Sequence, residues 1–267
     1  MLLSFRWSLG LLLSILLSLP LATHAQTEGP YYLSLKRELL YGGLATGSVV
    51  FGNALRARTP DIVLGDLHLG NIPAFDRVST RLSSESARAA SDYTVLLSGG
   101  LPAALLLAGK KTRKDALQLG ILFAETLTLN SGLTEIIKST ALRPRPYVFD
   151  EDLPPSTVIR SNDRAAFLSG HTSMSAAGGF FFARVFSDYH PDSKFKPYAW
   201  ALGAGLPAIT GYLRIRAGQH YPSDVLTGYA LGAAIGYLVP TLHKRLPVTR
   251  RLTLVPAGTG LYCSYRF

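Results

Sequence analysis

Long apolar stretches separated by short polar or basic segments organise this chain, and their lengths suit helices better than strands. Residues 31–58 have an apolar middle and stop near Thr59-Pro60, so a helix is expected there. Residues 61–81 are mixed and carry Gly65, Gly70, Asn71 and Pro73, the composition of a loop with short helical pieces. A helix over 83–108 follows, strongly apolar in its second half, and then the basic turn Lys110-Lys111-Thr112-Arg113-Lys114. The next helix, 115–140, ends at Arg143-Pro144-Arg145-Pro146, because proline and the residue before it leave the α region. Residues 147–167 form a polar loop with Asp150, Glu151 and Asp152. A helix is expected from Gly170 and His171 to Phe186, and 187–196 is a second polar connection.

Residues 198–213 and 225–242 are uncharged helices near the lower limit of length for a bilayer span. If the helices cross a membrane in turn, the basic segments at 110–114, at Lys194 with Lys196, and at 243–245 fall on one side, as the positive-inside rule requires. A soluble bundle with basic loops is the alternative. The tail, 252–267, alternates in parts around Gly258 and Gly260, which suits a small β-hairpin. The expected fold is therefore all-α, a bundle of about six core helices with its site at one end.

Residues 11–21 form a leucine-rich run behind Arg6, and Ala22-Thr23-His24-Ala25 offers small residues for a signal peptidase. The expected organisation is a signal peptide over 1–25, an N-terminal helix and loop over 26–82, a core over 83–245 and a tail over 246–267. Export to a bacterial cell envelope follows from that signal, with the site on the periplasmic side and the protein membrane-associated or periplasmic. A retained first membrane anchor is the alternative for 1–25.

Composition sharpens this picture. Hydrophobic residues make up 48% and charged residues 16% of the 267, and the mean hydropathy is +0.21, a shift toward membranes or an unusually apolar bundle. The net charge of +10 suits anionic lipid or a phosphorylated substrate. No basic run is interleaved with aromatics as a nucleic-acid groove requires, so nucleic acid is not an expected partner. The lone Cys263 excludes an intrachain disulfide and a multi-cysteine metal site.

Three segments place cationic or proton-transferring groups where helices begin or end. They are Lys138 through Arg145-Pro146, Ser169-Gly170-His171, and Arg214 through His220 to Asp224. Singly, each has an ordinary structural role. Lys138 can complement a helix dipole, Arg145 can be a solvated loop charge, Ser169 an N-cap and His171 a core histidine. His220 and Asp224, four apart, can bond across one helical turn. A metal held by His171, His220 and Asp224 is disfavoured by the three cations nearby.

Together the segments resemble the PAP2 and vanadium-haloperoxidase superfamily, whose signature is Lys-x6-Arg-Pro, then Ser-Gly-His, then Arg-x5-His-x3-Asp. The resemblance covers residues 83–242. Two positions depart from the usual pattern, Leu168 where the family has Pro and Leu213 where it has Ser. The resemblance implies a metal-independent phosphatase acting on phosphate monoesters or pyrophosphates, with no cofactor and with a phosphorylated lipid or small phosphate ester as substrate. It implies that Lys138, Arg145, Ser169, Gly170 and Arg214 cradle phosphate. By the same token His220 attacks phosphorus, Asp224 holds the other ring N–H of His220, and His171 protonates the leaving group. A vanadate-dependent haloperoxidase and a non-catalytic phospholipid-binding membrane protein are the alternatives.

Overall fold

A computed structural model describes residues 29–150, 153–245, 252–257 and 260–265; the segment 1–25 read as an export signal lies outside them. Six long helices carry the described fold, each within a few residues of the expected position. They are α1 (Leu35–Ala57), α2 (Glu85–Ala104), α4 (Ala116–Ala141), α5 (Gly170–Tyr189), α6 (Lys196–Arg216) and α7 (Pro222–Leu242), and the basic turn is the short helix α3 (Lys110–Lys114). Serines open three of them. The hydroxyls of Ser34, Ser84 and Ser169 accept backbone N–H groups of the first turn that have no partner within the helix. Leu142 ends α4 in the left-handed region, at φ 46°, and the two Arg-Pro pairs follow it.

Small residues decide which helices lie closest. A Cβ on Gly228, Gly232 or Gly236 of α7 would fall 2.5, 2.0 and 2.3 Å from the carbonyl oxygens of Ser169, Ser173 and Ala177. Glycine every fourth residue lets α7 run along α5 backbone to backbone, which fixes the start of α5 against the start of α7. There the N–H of Ser169 donates to the carbonyl of Asp224 at 2.9 Å.

The helices alternate in direction, so the basic segments gather at the end opposite Ser169. At that end Tyr189 donates its hydroxyl hydrogen to Asp115 at 2.5 Å. Lys244 pairs with Asp188 at 2.7 Å, and the N–H of Tyr32 donates to the carbonyl of His243 at 2.9 Å. Buried Leu105, Leu122, Phe181 and Val185 form an apolar core between these ends.

The loops at the Ser169 end carry more order than the sequence suggested. β1 (Ile62–Val63) pairs antiparallel with β2 (Val158–Ile159), tying the 61–81 segment to the 147–167 loop. That pairing brings Asp76 inward, where its carboxylate accepts the N–H and hydroxyl of Ser223 at 3.0 and 2.7 Å. In the tail, β3 (Leu252–Ala257) pairs antiparallel with β4 (Gly260–Tyr265), the hairpin that the alternation predicts.

Candidate functional site

The three charged segments converge at the end of the bundle where α4 and α6 finish and α5 and α7 begin. Lys138, in the last turn of α4, is buried and donates to the carbonyl of Ala165 at 2.7 Å. Gly170 opens α5 beside it; a Cβ there would lie 3.4 Å from Lys138 Cε. Ser169 is fully buried and caps α5, its Oγ 2.9 Å from Thr172 Oγ1. Arg145 stands just before a 3-10 turn over Pro146–Phe149 and donates to Gln219 Oε1 at 3.0 Å and to the Asn162 carbonyl at 3.1 Å. Arg214, in the last turn of α6, is buried and donates to Ser91 Oγ at 3.3 Å; its Nε is buried with no hydrogen-bond partner.

Arg145 and Arg214 border a cavity of about 560 Å³ lined also by Arg88, Asp92, Tyr147, Asn162, His171 and Gln219, whereas Lys138, Ser169 and Gly170 lie behind its wall. His171 sits there, its Nε2 2.9 Å from Asp92 Oδ1. Asp92 also lies 4.0 Å from Arg214, so one carboxylate bridges the imidazole and a guanidinium.

His220 occupies the turn between α6 and α7 and is 1% exposed. Gly218 makes that turn possible, because its φ is +63° and a Cβ would fall 1.9 Å from the Leu82 carbonyl. Burial, then the charges of Lys138, Arg145 and Arg214, hold the His220 imidazole well below its ordinary pKa of 6.5, so the ring is neutral. The Nδ1–H of His220 donates to the carbonyl of Ala166 at 2.8 Å. That bond fixes the tautomer and leaves the Nε2 lone pair unshared.

Asp224 does not take the role the resemblance assigned to it. Its Oδ2 is 3.7 Å from His220 Nδ1, beyond hydrogen-bond reach, and the carbonyl of Ala166 accepts the hydrogen bond instead. The carboxylate is engaged elsewhere, accepting the N–H of Tyr221 at 2.8 Å and Arg143 Nη1 at 2.5 Å. Arg143 also donates to Ser223 Oγ and to Asp76 Oδ2, both at 2.7 Å, and its guanidinium lies 4.1 Å over the Tyr221 ring. Asp76 and Asp224 are both fully buried, and Arg143 pairs with each, its single charge shared between two desolvated carboxylates.

Sequence reasoning missed Asp76, Asp92, Arg143 and Gln219. Arg143 was within reach, as the first of two Arg-Pro pairs, but the Lys-x6-Arg spacing assigns the functional role to Arg145. Asp76, Asp92 and Gln219 stand in no motif.

A family model described as the PAP2 superfamily matches residues 119–247, which include every residue of the three segments. An undecaprenyl-diphosphatase from Sulfolobus acidocaldarius is 26% identical over 148 residues, 55% of this chain. The chain spans 64% of that relative's length. Two solved structures are similar at low scores. A transmembrane PAP2 type phosphatidylglycerolphosphate phosphatase from Bacillus subtilis is 18% identical, over 86% of this chain and 94% of its own, with a TM-score of 0.39. LpxE from Aquifex aeolicus is 23% identical, over 65% of this chain and 98% of its own, with a TM-score of 0.42.

Proposed function

The chain belongs to the PAP2 superfamily through residues 119–247, and from that premise we propose that it is a metal-independent phosphatase for lipid-linked phosphate esters or pyrophosphates, working through a phosphohistidine on His220. The observation that carries the proposal is the company of His220. A neutral, buried imidazole with its Nδ1–H committed to a carbonyl lies within the field of Lys138, Arg145 and Arg214. Lys138 and Arg145 donate to neutral oxygens, and Arg214 Nε has no partner. The positive charge of Arg145 and Arg214 is available to a phosphoryl group, whose transition state spreads negative charge over its equatorial oxygens, while burial and Arg145 lower the pKa of the buried Lys138 ammonium to about 7.

In the first step His220 Nε2 bonds to phosphorus as the ester P–O bond breaks. Burial and Arg214 lower the pKa of His171 to about 4; the negative charge of a bound phosphate raises it, and His171, oriented by Asp92, then gives a proton to the departing oxygen. In the second step His171 takes a proton from water, whose oxygen attacks phosphorus as the N–P bond breaks, releasing phosphate and restoring neutral His220. Arg145 and Arg214 hold the equatorial oxygens, and the N-terminus of α5 at Gly170 supports them with its partial charge.

Membrane association belongs to the same proposal. Among the described residues, one helix, Pro222–Leu242, is long and apolar enough to cross a bilayer. Exposed Leu39 and Leu44 on α1, Leu97 on α2, Ile209 on α6 and Leu226 on α7, each at least half exposed, give the bundle apolar outward faces that suit a lipid environment. An apolar groove of about 400 Å³, lined by Leu96, Leu97, Gly100 and Leu101 among others, continues along α2 from Arg88 and Asp92 of the polar cavity. A substrate with a charged head and an apolar chain fits that sequence of surfaces. The positive-inside rule then puts the basic end on the cytoplasmic side and the cavity on the periplasmic side.

The test is phosphate release in EDTA from an isoprenyl pyrophosphate, phosphatidate and a small aryl phosphate. Release from the lipid substrates, blocked by vanadate and lost in His220→Ala, supports the proposal. Halide oxidation with vanadate and peroxide in place of release would move the site to haloperoxidase chemistry.

A further inference from the structure

At the end of the bundle opposite the catalytic cavity, three buried side chains from three helices point at one another. Glu38 lies in the first turn of α1, Glu125 projects from α4, and His243 caps α7. Their exposures are 5%, 6% and 0%. His243 stands about 30 Å along α7 from Asp224, at about 1.5 Å per residue, so the trio is separate from the catalytic site.

The hydrogen bonds of His243 define what Nε2 can do. Its Nδ1 lies 2.8 Å from the carbonyl of Val239, and a carbonyl only accepts, so Nδ1 carries a hydrogen. Nε2 then faces Glu38 Oε2 at 3.3 Å and Glu125 Oε2 at 3.4 Å. A lone pair directed at two carboxylates needs a hydrogen or a positive charge between them: a proton on Nε2, a proton on one carboxyl oxygen, or a metal ion.

Distances favour the metal. Charge-assisted N–H···O bonds close to about 2.7–2.9 Å, and neither approach does. Bonds of about 2.0–2.1 Å to a tetrahedral zinc ion place neighbouring donor atoms about 3.3–3.4 Å apart, the spacing seen on both sides of Nε2. The two carboxylate oxygens lie within 4.8 Å of each other, near enough for a side-chain rotation to complete the set.

Charge balance agrees. A divalent ion with neutral imidazole balances both buried carboxylates. Arg37 sits 3.7 Å from Glu38 Oε1, on the side away from His243, and gives its terminal nitrogens to the carbonyls of Leu242 and Tyr32. Glu125 Oε2 is buried with no hydrogen-bond partner. Donation of the second ring N–H to a backbone carbonyl is also how metal-bound histidines are held.

We propose that Glu38, Glu125 and His243 bind a divalent first-row metal ion of the zinc class, a structural site that pins the start of α1 to the end of α7 and takes no part in phosphate release. The inference does not rest on the phosphatase reading. Its test is elemental analysis of untagged full-length protein purified without chelator, beside Glu125→Gln and His243→Gln, together with thermal melting on addition of zinc. About one zinc per chain is expected in the wild type, and less than about a tenth of that in either variant. Glu125→Gln keeps the side chain's shape, so its fold is preserved. Added zinc should raise the melting temperature of chelator-stripped wild type and leave that of Glu125→Gln unchanged, while phosphate release in EDTA is the same in both. Wild-type protein that holds no metal and is not stabilised by zinc, or zinc content untouched by Glu125→Gln, would overturn the site and leave a proton, on Nε2 or on a carboxyl oxygen, in its place.

Discussion

The ring N–H of His220 is given to the carbonyl of Ala166 at 2.8 Å, while Asp224, four residues on, stands 3.7 Å away. The residue that orients the proposed nucleophile is thus a backbone group of the 147–167 loop. Asp224 acts on it through charge and through the turn it holds with Tyr221. The two roles separate by substitution. Asp224→Asn should lower kcat/KM about 10- to 100-fold, whereas His220→Ala should lose about 10⁴-fold or more. Steady-state kinetics on the same substrate checks this; equal losses would mean that Asp224 takes the ring proton during turnover.

Removing Arg143 leaves Asp76 and Asp224 buried without their shared cation. Arg143→Ala should therefore cost about 3–5 kcal/mol of stability, the penalty for breaking a buried pair from one side. Arg143→Ala combined with Asp76→Asn should recover part of it. Thermal melts in a fixed detergent read both values, and a single variant as stable as wild type would show that the network carries no weight.

The pH response follows from the sign of the His220 shift. Burial and three cations depress its pKa in the folded protein, so the unfolded chain binds the proton first. Stability from this group is complete above about pH 6.5 and falls as pH drops below that value toward the folded pKa. The ring signals of labelled His220 should stay in the neutral form between pH 8 and 5.5. A titration midpoint near 6.5 in the NMR spectrum would contradict the buried, cation-flanked geometry.

Gly232 of α7 meets the Ser173 carbonyl with no room for a side chain. Gly232→Val should destabilise by about 1–3 kcal/mol through overpacking and displace the start of α7 from Ser169. Turnover should fall more than substrate affinity. An active variant of wild-type stability would mean that the close approach of α5 and α7 does not set the site.

Orientation is open to a direct check. If the basic end faces the cytoplasm, α1 begins there, where a signal cleaved after export would not leave it. The export signal over 1–25 and the positive-inside orientation therefore exclude each other. Cysteines placed at Lys111 and at Asn162 and labelled from outside intact cells separate them. Labelling at Asn162 alone supports the positive-inside orientation, and labelling at Lys111 alone supports the cleaved signal.

The helices and the charged segments were legible because both are local. Apolar run length and proline positions mark the helix ends, and the motif residues sit a few places apart at element boundaries. What the sequence hid is carried by long-range contacts. Asp76 reaches Ser223 across 147 residues, and Asp92 reaches His171 across 79. His220 finds its acceptor 54 residues back, on a carbonyl that no side-chain pattern can announce. Ser169 is the local counterpart, since its hydroxyl caps α5, the ordinary role that the sequence offers for it.

The central claim is that phosphate passes through His220. The direct measurement is rapid acid-free quenching of the enzyme with phosphate-labelled substrate, comparing wild type, His171→Ala and His220→Ala. Label should remain on protein as an acid-labile, alkali-stable phosphohistidine, present in wild type, accumulating in His171→Ala with an aryl phosphate whose leaving group needs no acid, and absent from His220→Ala. Label retained by His220→Ala, or phosphate release by that variant at the wild-type rate, would contradict the account.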